Sequence, residues 1–534
     1  MHGRVKVRTS EEEKARKERE RQEKLKLFKH AMQKIFLKRK QGELDQEQLQ
    51  LTEKVLIANP DIYTLWNIRR DIILHLSRST DLNDEELTKL YDSELSLTEY
   101  CLKINPKSYC AWHQREWILI TRPDPNWKKE VELCEKYLKL DERNFHTWDY
   151  RRFVVNQCKP PLEQEFDFTT EKLHDNFSNY SAWHYRSKML LQLHPDTEGG
   201  RPIQDSHHKH ELKMVQSAAF TDPDDTSAWF YQRWLLGAVK TTLQPVVCTV
   251  TPEKVTVAWN NSVSRECLNS RTKIMFGENI INGEWYSSTG YDNDDLWILT
   301  HNQDISSRLN VKLEFQDDNN QIQSLFCEEF DNKSSYYVGK NNISFQSKYS
   351  DSVLEELKEQ LESCRQLLDL EPDNRWTLLT LTFFLHCIDA TKYEQEVLNN
   401  LRKLIKQDPM RAGYYYDLLT KWSIEQQLTS DYKQSTLLFK VACKDKITAL
   451  PHLQYYSFCN IVDLSNQNLT SKVLPTLIKL QNCKELDLSN NNLTTLKEFP
   501  SLQLQKLNLK GNAALMMEEI QYFTENNKSV EILF

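Results

Sequence analysis

None of the twelve cysteines falls in a CxxC pair, so neither a disulfide framework nor a zinc ribbon is written in the sequence. Cys101, Cys110, Cys134 and Cys158 read as scattered, reduced thiols. No stretch approaches the roughly 18 apolar residues of a membrane span. The start, Met1 to Lys26, alternates Glu with Lys and Arg and lacks the apolar core of a signal peptide. GxxxxGK[ST], GxSxG and HExxH are all missing, which removes support for autonomous nucleotide, serine-hydrolase or zincin chemistry. A net positive charge is also lacking: a formal net charge of -8 gives no overall reason to expect nucleic-acid binding. These absences predict a cytoplasmic chain with no membrane span and no nucleic-acid partner.

What is present is length and repetition. The 534 residues, 39% hydrophobic and 27% charged, exceed one hydrophobic core and suit a multidomain globular chain. Asn59-Pro60 is followed by Tyr63, Trp66, Arg69 and Arg70, and Asn105-Pro106 by Tyr109, Trp112 and Arg115. Asn144-Phe145, Trp148, Arg151 and Arg152 keep the spacing, as do Asn179-Tyr180, Trp183 and Arg186. Asp222-Pro223 gives Trp229, with Arg233 one residue late. Asn59, Asn105 and Asp222 are expected as N-caps with Pro at the first helical position. Trp and Arg three apart share a helical face, so the indole is expected to anchor the packing with the guanidinium near its face. Amphipathic stretches such as Leu51 to Ile57, Leu95 to Ile104 and Val131 to Leu140 supply each hairpin's other helix. A spacing of about 35 to 46 residues predicts stacked helical hairpins, an α-solenoid.

The grammar changes after Lys240. Val246 to Val257, Leu296 to Leu299, Val311 to Phe315 and Ser335 to Val338 read as strands separated by turns such as Ile281-Asn282-Gly283, a β-sandwich inserted into the array. Helical periodicity resumes near Ser350 and leads into Glu371-Pro372 with Trp376, and Asp408-Pro409 with Tyr414. From about Ala449, Cys459, Val462, Leu464 and Leu469, then Cys483, Leu486, Leu488, Asn491 and Leu493, then Leu504, Leu507, Leu509 and Asn512 match leucine-rich repeats. The expected fold class is mainly α, divided into a helical domain over 1–240, an inserted sandwich over 241–347, a second helical part over 348–446 and leucine-rich repeats over 447–534.

The repeat Pro-x-x-Tyr-x-x-Trp-x-x-Arg resembles the signature of protein prenyltransferase α-subunits. Within that family, a helical array broken by an immunoglobulin-like insertion and ended by leucine-rich repeats resembles the Rab-modifying geranylgeranyl type; the α-subunit shared by the CaaX enzymes lacks both additions. The resemblance implies an α-α superhelix wrapped around a β-subunit that binds the catalytic zinc. It implies transfer from geranylgeranyl diphosphate to C-terminal cysteines of Rab GTPases presented by a Rab escort protein. By the same resemblance Lys107 reaches toward the diphosphate and Tyr109 lines that pocket, while Trp66, Trp112, Trp148, Trp183 and Trp229 are structural. Lys107 is also expected in a helix's first turn, where backbone donors favour an anion. His2 has two readings, a ligand to the partner's zinc or a tip without a role. His207, His208 and His210 read as a solvated loop beside Gly199-Gly200, and His113, His146 and His184 as packing or interface groups. The competing readings are a non-catalytic helical scaffold, whose TPR-type units would lack the Tyr-x-x-Trp-x-x-Arg pattern, and the CaaX-type α-subunit.

Overall fold

The computed structural model describes residues 11–534 apart from 79–82, 197–201, 239–241, 282, 303–309, 318–319, 331–335, 433–436, 444 and 446. It divides into a unit ending at Leu193 and a unit from His194 to Phe534.

The first unit is helical: α1 (Glu11–Gln41), α2 (Gln46–Ala58), α3 (Tyr63–Arg78), α4 (Asp84–Ile104), α5 (Tyr109–Thr121), α6 (Trp127–Leu140), α7 (Phe145–Cys158), α8 (Leu162–Asp175) and α9 (Tyr180–Leu193). From α2 onward the helices pack as hairpins, α2 with α3, α4 with α5, α6 with α7 and α8 with α9. The Asn-Pro steps do not open them as the sequence suggested. Asn59 and Asn105 close the preceding helices, their N–H groups donating to Val55 at 3.0 Å and Cys101 at 2.8 Å. Their side-chain oxygens accept from Asp61 and Lys107 N–H, both at 3.2 Å, so the proline lies in an Asx turn. The N-cap of α5 is Ser108, which accepts from Ala111 N–H at 3.3 Å.

The repeat tryptophans tie these turns to the helices they precede. Trp66, Trp112, Trp148 and Trp183 each donate an indole N–H to the carbonyl six residues earlier, on Pro60 (2.8 Å), Pro106 (2.9 Å), Glu142 (2.8 Å) and Phe177 (2.7 Å). The amides of Asn144 and Asn179 add a second donor to the Pro106 and Glu142 carbonyls of the preceding turn, at 3.1 and 2.9 Å. Consecutive units are thereby bonded turn to turn.

The repeat arginines do not stack on the tryptophans but take buried carboxylates. Arg69 bonds Glu94, Arg115 bonds Glu130 and Arg151 bonds Glu165, all side chains at most 5% exposed. In three of the four units the guanidinium also reaches back 17 residues. Arg69 donates to Thr52 at 2.8 Å and Arg115 to Thr98 at 3.0 Å, and Arg186 repeats the contact with Thr169 at 3.2 Å. In the Arg151 unit that position is Cys134, a poor acceptor, and Arg151 Nη1 has no hydrogen bond. A buried charge is costly unless paired and bonded, which explains why Arg, Glu and Thr recur together.

The second unit begins with α10 (Asp205–Thr221) and α11 (Thr226–Gly237). Asp222 caps the end of α10 and accepts from Asp224 N–H at 3.2 Å, while Asp225 opens α11. Here Trp229 donates to Pro223 at 3.0 Å. Gln232 occupies the repeat arginine's slot and bonds Gln360 at 2.9 Å. The late Arg233 lies over Phe230 and Trp376 instead.

Then come β1 (Pro245–Val250), β2 (Lys254–Ser264), α12 (Arg265–Arg271), β3 (Thr272–Phe276), β4 (Asn279–Ile281), β5 (Trp285–Ser287), β6 (Asn293–Thr300), β7 (Val311–Gln316), β8 (Ile322–Glu329) and β9 (Tyr337–Lys340). They form one antiparallel order, β4-β3-β7-β8-β9-β1-β2-β6-β5, around a core that includes Trp259, Trp297 and Phe315. Helices resume with α13 (Asp351–Leu370), α14 (Arg375–Asp389), α15 (Glu394–Gln407) and α16 (Ala412–Asp431). Across the insertion α10 packs on α13 and α11 on α14.

The chain ends with β10 (Leu438–Lys440), β11 (Ile461–Asp463), β12 (Glu485–Asp487), β13 (Lys506–Asn508), α17 (Met517–Asn526) and β14 (Glu531–Leu533), whose strands form a parallel ladder in sequence order. Val462, Leu486 and Leu507 are in register and buried. Asn491 spans two turns, donating to Leu464 and Leu488 carbonyls at 2.9 Å each and accepting from Leu469 N–H at 3.0 Å; Asn512 repeats this on Leu488 and Leu509.

The sheet and the ladder meet at Lys479, whose ammonium bonds both Asp294 and Asp295. Burial works to raise the Asp294 pKa, but Lys479 and Thr289 more than offset it and bring it from 3.8 to about 2. Asp295 moves upward because burial outweighs the shared ammonium. The Asp294 contribution to stability is therefore fully present above the unfolded value and lost as pH falls through the folded one. In Lys479→Met buried Asp294 and half-buried Asp295 lose their counter-charge, so the expected stability deficit against wild type narrows as pH falls from about 4 to 2. Thermal melts over that range check it; a deficit independent of pH contradicts it.

Candidate functional site

The first unit's hairpins place one aromatic residue of each repeat on the surface. Trp66, Trp112, Trp148 and Trp183 are at most 4% exposed, whereas Tyr63, Tyr109, Phe145 and Tyr180, three residues earlier, are 69%, 68%, 49% and 56% exposed. A three-residue step turns a side chain by less than a full helical turn, and here one member faces the core and the other solvent. The four exposed rings occupy equivalent register positions at the starts of α3, α5, α7 and α9.

Lys107 lies beside this row, in the turn before the Ser108 N-cap rather than within the helix. The first-turn placement expected for it is thus corrected: the Asx turn at Asn105 takes up residues that would have formed the helix start. Its ammonium is 3.8 Å from Asp141 Oδ2, with side chains 66% and 45% exposed. Such an exposed, long pair contributes little, so the ammonium is free to meet a stronger anion. Tyr109 meets the His146 ring edge-on at 4.3 Å, and Phe145 lies 4.0 Å from the same imidazole. Burial lowers the His146 pKa; Asp149 opposes and Lys107 adds to the fall, so the ring is uncharged at neutral pH.

A second polar cluster adjoins in the same unit. Arg70 donates to Gln114 Oε1 and to His113 Nδ1, both at 2.7 Å. A guanidinium only donates, so Nδ1 must accept and the His113 proton sits on Nε2. Burial and then Arg70 lower the His113 pKa; burial also lowers that of His184, with Lys188 and Arg152 next. Glu116 shifts upward through burial and Asp149. The exposed rings suit a partner surface and the Lys107 ammonium suits an anion. Among the described residues, no group of three or more His, Cys, Asp or Glu is placed to hold a metal ion.

The structure brings Lys107 and Tyr109 onto one side of the second hairpin and adds Asp141, Phe145 and His146. The signal for Asp141 in the sequence is its acidity one repeat after Lys107. Trp66, Trp112, Trp148 and Trp183 are buried in the first unit, as Trp229 is in the second. His2 lies outside the described residues. The expected loop histidines are helical: His207, His208 and His210 fall in α10, with His208 buried at 3.1 Å from the Leu235 carbonyl.

The protein prenyltransferase alpha subunit repeat matches residues 45–76, 91–121, 127–158, 162–193 and 208–239. These are the hairpins α2–α3 through α10–α11. Geranylgeranyl transferase type-2 subunit alpha of Rattus norvegicus is 37% identical over 481 residues, covering 88% of this chain and 84% of that protein. The Homo sapiens protein of that name is 38% identical over 501 residues with the same coverage. The solved Candida albicans protein geranylgeranyltransferase-I complexed with GGPP aligns over 39% of this chain and 66% of that one at 22% identity, with a TM-score of 0.32, too low to bear on the site. Relatives of this identity along most of the chain, with five repeats falling on five tryptophan-tied hairpins, establish that the chain belongs to the protein prenyltransferase α-subunit family, in its geranylgeranyl transferase type-2 branch.

Proposed function

We propose that this chain is the α-subunit of a cytoplasmic heterodimer that transfers geranylgeranyl from geranylgeranyl diphosphate to C-terminal cysteines of Rab GTPases presented by a Rab escort protein. The reading rests on one observation above others: an exposed, weakly compensated Lys107 beside a row of solvent-facing rings on an otherwise well-packed helical unit. Rings left in water at four equivalent positions suit a second subunit that covers them.

In this reading the β-subunit carries the zinc, which when bound supplies a thiolate nucleophile at the Rab cysteine. The residues described here do not fit a zinc site, and no step is assigned to the metal in this chain. This chain's own part is electrostatic. Lys107 places a full charge against the departing diphosphate, and the Tyr109 hydroxyl offers it a hydrogen bond. Neutral His146 packs against Tyr109 and holds its ring. His2 is proposed as a ligand that reaches the partner's zinc before substrate arrives; equal peptide binding by wild type and His2→Ala would remove it.

The domain division follows: a helical array over 1–240 and 348–446, an immunoglobulin-like insertion over 241–347, and leucine-rich repeats over 447–534. The central experiment coexpresses the chain with candidate β-subunits and measures zinc-dependent transfer to a Rab and to a CaaX protein, with and without escort. Transfer to the Rab that requires escort is the expected result. Transfer by the isolated chain, or preference for the CaaX protein, rejects the assignment.

A further inference from the structure

The late arginine of the fifth repeat lies where no carboxylate meets it. Arg69, Arg115 and Arg151 each hold a buried glutamate. Among the described residues Arg233 has no ion pair, and its hydrogen bond goes to Thr380 Oγ1 at 3.3 Å. We propose that Arg233, with Arg375 and Arg411, forms a binding site for a phosphate group, independently of the α-subunit reading.

The first argument is charge. The guanidinium carbons of Arg411, Arg375 and Arg233 lie 4.8, 5.5 and 5.6 Å from the centre of one ring, the indole of Trp376. Asp408 is the only carboxylate paired with any of the three among the described residues. Its Oδ2 meets Arg411 at 2.9 Å, Arg375 at 3.8 Å and the Tyr415 hydroxyl at 3.0 Å. Three cations and one anion leave a surplus of two positive charges, close to the about −1.5 to −2 of a phosphate monoester at neutral pH. A carboxylate would meet only half of it. Burial pulls the Arg233 pKa down to about 10, with Tyr414 and Tyr415 opposing, so the group stays charged at neutral pH. The faces of Phe230, at 4.9 Å, and Trp376 attract that charge but accept none of its N–H bonds in the way an oxygen would.

The second argument is an unmet donor. The indole N–H groups of Trp66, Trp112, Trp148, Trp183 and Trp229 each reach a carbonyl. Trp376, 3% exposed and surrounded by the three guanidiniums, has no acceptor for its own. A buried donor without a partner is costly, and an oxyanion held by the guanidiniums can accept from it.

The third is access. The side chains of Arg375 and Arg411 are 46% and 45% exposed, so a ligand reaches them from solvent. Arg375 opens α14 and Arg411 directly precedes α16, ends of helices that favour negative charge. Guanidinium is also the group whose paired donors match phosphate oxygens.

Calorimetric titration of the full chain, at ionic strength held constant with chloride, tests the site with four probes: inorganic phosphate, acetate, a blocked pentapeptide with one central phosphoserine, and its unphosphorylated serine form. Both phosphate probes are expected to bind, and acetate and the serine peptide to bind at least about tenfold more weakly. Arg233→Gln should weaken the phosphate probes by a similar factor. Half-exposed Arg411→Gln carries the same test should the deeper replacement not fold. Arg365→Gln removes an equal charge, one paired with Glu396, and should leave affinity unchanged. Tighter binding of the phosphopeptide than of inorganic phosphate assigns the source to a modified protein side chain, and equal or weaker binding to a free phosphate; either supports the site. Acetate binding as well as phosphate, unchanged affinity in a folded Arg233→Gln or Arg411→Gln, an equal loss in Arg365→Gln, or no binding of either phosphate probe up to about 10 mM overturns it.

Discussion

Lys107→Ala is expected to lower turnover of the reconstituted heterodimer by on the order of 10² to 10³, the usual cost of removing one preorganised donor from developing charge. The structure makes this a clean substitution. Lys107 precedes the Ser108 cap, contributes no helical turn, and among the described residues its ammonium pairs with the exposed Asp141 alone, at 3.8 Å. Melting and subunit association should therefore stay within the small range of surface changes, about 0.5 kcal/mol. Lys107→Arg keeps the charge and should recover part of the rate, limited by the altered geometry of a planar fork. Unchanged turnover of Lys107→Ala at saturating lipid removes the residue from the chemistry.

Arg115→Ala should be the most damaging single change to the first unit, by about 3 to 5 kcal/mol, because it strands a buried carboxylate. Arg115 meets Glu130 through two bonds of 2.7 and 2.8 Å with both side chains at most 3% exposed. It also satisfies the Leu95 carbonyl at 2.8 Å and Thr98 at 3.0 Å. Without it Glu130 keeps, among the described residues, the Tyr150 hydroxyl, which donates at 2.6 Å. The paired replacement Arg115→Met with Glu130→Leu should recover most of the loss, since neither charge then remains. Arg122→Ala is the control: it removes an ion pair to Asp92, which is 61% exposed, and should cost under about 1 kcal/mol. Hydrogen exchange of α5 and α7 amides reads the local opening energy in a chain of several domains. Equal losses for Arg115→Ala and Arg122→Ala would show that the buried pair carries no special share.

The helical hairpins were legible because the Trp-x-x-Arg spacing puts both side chains inward in the four hairpins from α2 to α9. The partner of each arginine was not. Glu94, Glu130 and Glu165 follow their arginines by different intervals, so no fixed spacing marks them in one sequence. The Asn-Pro steps were misread for a related reason: an N-cap and an Asx turn both use a side-chain oxygen to accept a nearby N–H. Only the residues beyond decide, and Ser108 and Asp225 were there to be weighed. Misplacing that boundary put Lys107 inside a helix. Of the insertion's strands, β1, β2, β6, β7 and β9 fall in runs read from the sequence while β3, β4, β5 and β8 do not, and no pairing was legible, since nothing local tells β1 that its neighbours are β2 and β9. At the site, Tyr109 stood out by its place in the repeat, whereas His146 becomes its neighbour only when α5 and α7 pack together.

The first and last strands of the insertion are partners: Val247 pairs with Lys340 and Val250 with Tyr337. Entry and exit are clasped side by side, with Asn341 N–H on the Val246 carbonyl at 2.9 Å. An unstructured tether of that length would burden α10–α13 and α11–α14 docking with closure entropy, which grows by about 0.6 kcal/mol per doubling. A self-clasped excursion spares the helices that burden, so they experience the whole intervening domain as a short hinge. Cargo of very different size could occupy that clasp without changing how the helices on either side find one another.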